Sequence, residues 1–190
     1  MRHFELSDIP VRSALLRDGR VLANINDDAL NQADDQLAEG QRRTVEEQHH
    51  TKLIYTVCMP DGSTIGFCWL TSIDWRSRSC ELSFALLPEY RIGLGSALVP
   101  EAREFMFREL NMRTMINQVL DHNTMLLSTG DQRELSQVTC DYDSYTVGEF
   151  RRARYWSRTV EQCVAEAEEF RRRRAERRER ILAAAAGKPS

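Results

Sequence analysis

Lysine is nearly missing from this 190-residue chain: Lys52 and Lys188 are the only two, and neither lies near the glycines at 93 and 95. A Walker loop, Gly-x-x-x-x-Gly-Lys-Ser/Thr, needs a lysine directly after its glycine to grip phosphate. Its absence argues against a nucleoside triphosphatase. The same turn has Leu98 where the dinucleotide fingerprint Gly-x-Gly-x-x-Gly needs its third glycine, and the turn follows a late strand rather than the first. Long hydrophobic runs are also absent. None approaches the roughly 20 apolar residues that cross a bilayer, and the opening Met-Arg-His-Phe-Glu-Leu-Ser-Asp holds no apolar segment, so the expected location is cytoplasmic, with no membrane partner. The five cysteines (58, 68, 80, 140, 163) are odd in number, widely spaced and without a Cys-x-x-Cys pair. Such spacing favours buried free thiols over a disulfide framework or zinc site, and no metal is expected.

What is present fits a soluble domain with a tail: 42% of residues are hydrophobic and 29% charged, ordinary for a single core of this length. Charge is unevenly spread. Residues 151–190 hold twelve basic and six acidic side chains, +6, which leaves −9 on residues 1–150 from the total of −3. Acid gathers at Asp27, Asp28, Asp34, Asp35 and Glu39, either a solvated helix face or a lure for a cationic partner.

Along the chain, residues 3–6 read as a strand, followed by a helix capped by Ser7 or Asp8, with Pro10 in its first turn and Val11, Leu15 and Leu16 inward. Residues 24–43 look irregular. Thr44-Val45-Glu46-Glu47 matches a capping box and predicts a helix over 44–52. Leu53–Met59 and Thr64–Asp74, joined at Pro60-Asp61-Gly62, predict a hairpin, and Cys80–Leu87 a fourth strand. A helix from Ser96 to about Leu110 presents residues 98, 102, 105, 106 and 110 on one face. Residues 113–120 read as a fifth strand, 123–129 as a short helix, and 134–140 and 150–159 as the last strands. From Val160 the stripe Cys163, Val164, Ala167 and Phe170 is helical. It ends at Arg171, beyond which Glu168–Arg172, Glu169–Arg173 and Glu176–Arg180 are expected i, i+4 ion pairs on a projecting end. This order predicts an α+β fold, a mixed and mostly antiparallel sheet flanked by helices, with residues 1–158 as one domain and 159–190 as a charged helical extension.

The junction Pro88-Glu89-Tyr90-Arg91-Ile92-Gly93-Leu94-Gly95-Ser96 is the most telling segment. Its glycines let a ligand approach the main chain, and the following helix offers unpaired N–H groups and a positive dipole end to an anion. Residues 65–123, from Ile65-Gly66-Phe67-Cys68-Trp69-Leu70 through this junction to Asp121-His122-Asn123, resemble the Gcn5-related N-acetyltransferase (GNAT) superfamily. Within it the likeness is to the branch that acetylates ribosomal-protein N-termini and small amines. Gly93 and Gly95 match the last fixed places of that family's Gln/Arg-x-x-Gly-x-Gly/Ala signature. Its first place falls on Tyr90, with Arg91 one residue late.

The resemblance implies a sheet splayed between the fourth and fifth strands and an acyl-CoA co-substrate, acetyl-CoA first. It implies that Arg91 and the main chain of Ile92, Gly93, Leu94, Gly95 and Ser96 hold the pyrophosphate. Leu86, Leu87 and Asn123 would contact pantetheine. Direct acyl transfer to the primary amine of a small molecule or peptide N-terminus is the expected activity. An acyl-CoA-binding scaffold that has lost catalysis is the alternative.

An amine must lose its proton before it attacks a thioester, so a base is needed. Glu81, on the face of the fourth strand opposite Leu82 and Phe84, is one candidate, and His122 beside Asp121 is another. No tyrosine lies between Asn123 and Gly130, where the family often keeps its general acid. Ser128, Tyr142 or Tyr145 would have to serve. Cys80 and Cys140 read as core. The arginine-rich tail is more readily a solvated helix than a nucleic-acid site, and a homodimer is left open.

Overall fold

The computed structural model describes residues 1–25, 28–47, 52–91, 94–123, 140–146 and 149–186. Strands β1 (Arg2–His3), β2 (Leu53–Cys58), β3 (Thr64–Asp74), β4 (Ser79–Leu86), β5 (Thr114–Leu120), β6 (Cys140–Thr146) and β7 (Glu149–Thr159) alternate with helices α1 (Ile9–Leu16), α2 (Gly19–Asn24), α3 (Asp34–Glu46), α4 (Gly95–Glu109) and α5 (Val160–Ala186). The strands form one sheet in the order β1-β2-β3-β4-β5-β7-β6. Among the described strands β4 and β5 run parallel and every other neighbouring pair is antiparallel. The expected α+β class and mixed sheet are therefore observed.

Alternation along the strands sends side chains to two separate cores. On one face Tyr55, Cys68, Cys80 and Met115 pack with Met106 and Phe107 of α4 and Cys163 of α5. On the other, Ile54, Phe67, Trp69 and Ala85 pack with Phe4, Ile9 and Leu15, under Ala38 and Val45 of α3. The apolar stripe read on α4 is the buried one: Ala102 and Met106 are covered, with Leu98, Phe105 and Leu110 partly so. Burial pushes the thiols of Cys68 and Cys80 up to about 12, which suits core residues rather than acyl carriers.

Several local expectations are corrected. The first strand is Arg2–His3, shorter and earlier than 3–6. Val11 is exposed, and Arg12 takes the inward place at 3% exposure. Its guanidinium lies over the rings of Phe4 and Trp69, 5.7 and 5.0 Å from their centroids, and donates to Gln41 Oε1 at 2.9 Å; burial lowers it to about 10. The "irregular" 24–43 stretch holds most of α3. Thr44 lies in that helix's last turn, donating to the Gly40 carbonyl at 3.0 Å, and caps nothing. The helix opens instead with Asp34 and Asp35 in its first turn and Gln36 reaching back to the Ala33 N–H at 3.1 Å, where acid offsets the dipole. The helix expected at 123–129 lies outside the described residues beyond Asn123, as does the strand expected at 134–140 up to Cys140, which opens the strand Cys140–Thr146.

At its start α5 joins the core: Cys163 and Ala167 are buried, whereas Val164 is exposed. Glu166 accepts from Arg158 and, at 3.3 Å, from Arg103. Burial lowers the Arg103 guanidinium, and Arg158 is only 4% exposed. Arg171 reaches Glu104 of α4. Glu169–Arg173 forms as expected at 2.7 Å, but Arg172 turns to Glu169 and Glu176 rather than to Glu168.

Candidate active site

β4 and β5 share only three rungs, Ser79–Thr114, Cys80–Met115 and Glu81–Ile116, after which the two strands part. This is the expected splay. Its lining follows from the register. β4 pairs with β3 from Thr71–Glu81 to Gly66–Leu86, and the Leu87 N–H bonds the Ile65 carbonyl at 2.9 Å. Odd-numbered residues of β4 thus bond β3, and the main-chain groups of Phe84 and Leu86 point toward β5 where it has already diverged. On β5, the Asp121 N–H bonds the Arg152 carbonyl at 2.8 Å, so odd residues face β7 and Gln118 faces the gap. Gly66 shapes β4 from behind: a Cβ there would lie 2.4 Å from the Ala85 carbonyl oxygen and 3.0 Å from Leu86 Cα.

Glu81 stands on the last shared rung, at the fork of the splay, on the face covered by α1 and α3. The alternation read from the sequence holds there. Thr71 Oγ1 donates to its Oε2 at 3.3 Å, and the Tyr155 hydroxyl donates to its Oε1 at 3.4 Å. Tyr155 comes from β7, opposite Gln118, and reaches the fork past β5. Neither partner is marked by any local motif, because both depend on register between distant strands.

The second candidate base is tied elsewhere. His122 is exposed, and its Nε2 lies 2.7 Å from the Ala23 carbonyl of α2, so Nε2 donates in that bond. Asp121 accepts from Arg154 Nε at 2.7 Å rather than from His122. Asn123 closes the turn after β5, its N–H on the Leu120 carbonyl at 2.9 Å. Ser128 lies outside the described residues. Tyr142 and Tyr145 stand on β6, an edge strand separated from β4 by β5 and β7.

At the far end of β4 the glycine turn is partly as expected. Leu94 is the N-cap residue of α4, with no side-chain cap, and Gly95 and Ser96 open the helix; Ile92 and Gly93 lie outside the described residues. Tyr90 packs against the core under α4. Arg91 turns the other way. Its Nε donates to the Leu86 carbonyl at 3.1 Å and its Nη2 to Asp18 Oδ1 at 2.7 Å, making a strut between the end of β4 and the cap of α2. Burial would raise the Asp18 carboxyl, but hydrogen bonds from Arg91 and from the Arg20 and Val21 N–H groups hold it below the usual range. Leu86 therefore offers its N–H to the splay with its carbonyl occupied, and the Leu87 N–H is committed to β3.

Two buried donors beside the splay find no partner among the described residues: Asn117 Nδ2 and Trp156 Nε1. They face one another across β5 and β7, on the α4 side, one residue past the last shared rung. Buried donors are seldom left unmade, and these suit a ligand rich in carbonyl acceptors. A strand gap faced by the main chain of Phe84 and the Leu86 N–H, with the two buried donors and an uncapped helix start, fits a pantetheine arm leading to phosphate.

No curated protein matches the sequence at a significant level. Among solved structures, the spermidine N-acetyltransferase from Vibrio cholerae in complex with CoA and spermine is similar at TM-score 0.73 and 16% identity, covering 86% of this chain and 96% of that one. A chimera of the Vibrio cholerae spermidine N-acetyltransferase SpeG with hSSAT aligns at TM-score 0.69 and 17% identity, with 86% and 96% coverage. Mutant forms of the spermidine/spermine N-acetyltransferase SpeG from the same organism align at 0.68 and 16%, with 87% and 97% coverage. The profile of the acetyltransferase (GNAT) domain matches residues 1–128, more than half of the chain. With the splayed sheet, this match establishes that the chain belongs to the GNAT acetyltransferase family.

Proposed function

We propose that the protein transfers an acetyl group from acetyl-CoA to a primary amine of a small cationic molecule, with Glu81 as the general base. The observation that carries this reading is the position of Glu81: a carboxylate at the fork of the splay, oriented by Thr71 and Tyr155, on the face opposite α4. Acetyl-CoA supplies an acyl group already activated as a thioester. The residues that would hold it are Phe84 and Leu86 through their main chain, Asn117 and Trp156 through their orphaned donors, and the Leu94–Ser96 start of α4 for the pyrophosphate. Asn123 remains a further candidate on the fifth-strand side.

A cationic acceptor arrives as an ammonium and must give up a proton. Glu81 receives it, through Oε1 or Oε2 or by way of water. An N–H of the splayed strand, Leu86 in particular, faces the gap where a thioester oxygen would gain charge, the arrangement that stabilises such charge elsewhere. Tyr155 Oη, hydrogen-bonded to Glu81, is placed to carry a proton at the same fork. It stands in for the tyrosine missing after Asn123, and Ser128 is the alternative donor. His122, held to Ala23, serves better as a tie between β5 and α2 than as the base. Cationic small molecules are favoured over peptide N-termini because the neighbouring structures are spermidine N-acetyltransferases and the body carries −9.

Thiol release from acetyl-CoA, measured across linear polyamines, monoamines and short peptides, tests the reading. The expected result is turnover with polyamines or other cationic amines at kcat/KM at least about tenfold above peptides. Equal turnover on all amines would refute the acceptor class. Acetyl-CoA binding without turnover on any of them would favour a scaffold.

A further inference from the structure

Beyond Arg171, helix α5 leaves the body. Residues 172–182 are exposed without exception, and at 1.5 Å per residue the segment from 172 to 186 extends about 22 Å. Helical spacing divides this arm into two unlike faces. Arg174, Arg177, Arg178, Ile181 and Leu182 follow i, i+3, i+4, i+7, i+8 and share one side. Glu176 and Glu179 fall on the other, together with Arg172 and Arg173, which are ion-paired to Glu169 and Glu176. Among the described residues, Arg174, Arg177 and Arg178 carry no ion pair. A helix stabilised only by its own charges would surround its arginines with acids; here one face is basic and ends in Ile181 and Leu182, 59% and 58% exposed.

The matching surface is on the same chain but on the other side of the sheet. Leu30 is 50% exposed in the short turn Asp28–Asn31, directly before the exposed Asp35 and Asp34 that open α3, the latter held on one oxygen by Arg17 at 2.8 Å with its side chain 93% exposed. An apolar side chain beside paired acids complements paired arginines beside apolar side chains. The arm continues α5 along the α4 face, whereas α3 covers the opposite face, so the arm of one chain meets the acidic surface of another. Nucleic acid and anionic membranes fit less well, because the body behind the arm carries −9 and repels them.

We propose that the α5 arm is a self-association element whose Arg174, Arg177, Arg178, Ile181 and Leu182 face docks on Leu30, Asp34 and Asp35 of a second copy of this chain. Two arms exchanged about a two-fold axis give the smallest closed assembly. The interface is electrostatic at its centre and weakens as salt shortens the reach of charge.

Sedimentation velocity of the full chain tests this at about 50 mM and about 500 mM salt, where the Debye length falls severalfold. A dimer or larger closed assembly is expected at low salt and a monomer at high salt. The combined variant R174E/R177E/R178E, all at exposed positions, is expected to be monomeric at both with unchanged helical content. D34K/D35K is expected to be monomeric alone, and mixing it with the arm-reversed chain is expected to restore a complex. The proposal is overturned by a monomeric unmodified chain at low salt or by an assembly that survives arm reversal. It is equally overturned if arm reversal abolishes binding to duplex DNA or anionic vesicles but leaves assembly intact. Should D34K/D35K fail to fold, the arm-reversed chain alone decides.

Discussion

At the scale of single residues, two carboxylates stand in unlike settings, one at the proposed site and one in the body. Glu81 is half-buried and held by two long hydroxyl bonds, from Thr71 and Tyr155, a setting that suits the proposed role of base. Asp8 is nearly sealed. Burial pushes its carboxyl up, yet the two-pronged bond from Arg2 at 2.7 Å, the Glu5 N–H at 2.9 Å and the Thr56 hydroxyl at 2.8 Å hold it below the usual range. The sign follows: a carboxyl lowered on folding contributes its stability above the unfolded value near about 4 and loses it as pH falls toward the folded value. Asp8→Ala is expected to cost about 2–4 kcal/mol in urea unfolding at pH 7, stranding the buried Thr56 hydroxyl, with the deficit shrinking in acid. An Asp8→Ala penalty independent of pH would contradict this. For Tyr155, replacement by Phe is expected to lower kcat about 10²-fold with acetyl-CoA affinity unchanged by calorimetry. An unchanged kcat would reduce Tyr155 to packing.

At the scale of elements, two contacts set the shape of the site. Gly66 permits β3 to lie against β4 where the latter leaves β5. Gly66→Ala places a methyl 2.4 Å from a backbone oxygen, and is expected to cost about 1–3 kcal/mol in thermal unfolding while weakening acetyl-CoA binding, since Leu86 moves with it. Glu166 neutralises two covered arginines, Arg103 and Arg158, between α4, β7 and α5. Glu166→Ala leaves both without their acid, and a loss of about 3–5 kcal/mol is expected in denaturant titration. What the sequence disclosed follows this same division. The β2–β3 hairpin and the buried face of α4 were legible because local periodicity writes them. α3 was not, since Ala33 stands at its cap where a Ser, Thr, Asp or Asn would mark the start, and its polar stretch resembles a loop. The Glu81 alternation was legible, but Thr71 and Tyr155 were not, because only strand register brings them there. Arg91 shows the converse: its place beside the glycines suggested phosphate, while Asp18, 73 residues away, claims its guanidinium.

At the scale of the whole molecule, a sheet splayed between the parallel strands β4 and β5 separates two sets of groups. One face, under α4 and α5, carries the orphaned donors and the helix start; the other, under α1 and α3, carries Glu81 and the acidic surface. No helix among the described residues is long and apolar enough to cross a membrane. Removing residues 172–190 at high salt is expected to shift the melting temperature by only about 1–2 °C, as residues 172–182 are all exposed. A larger fall would mean that the arm belongs to the folded body. The most direct test of the account compares the unmodified chain with Glu81→Gln, following acetyl-CoA affinity by calorimetry and steady-state thiol release with the best amine. Equal affinity is expected, with a kcat about 10²-fold lower or more in Glu81→Gln, recovered in part at high pH where the amine arrives neutral. Equal kcat in the two proteins would contradict it.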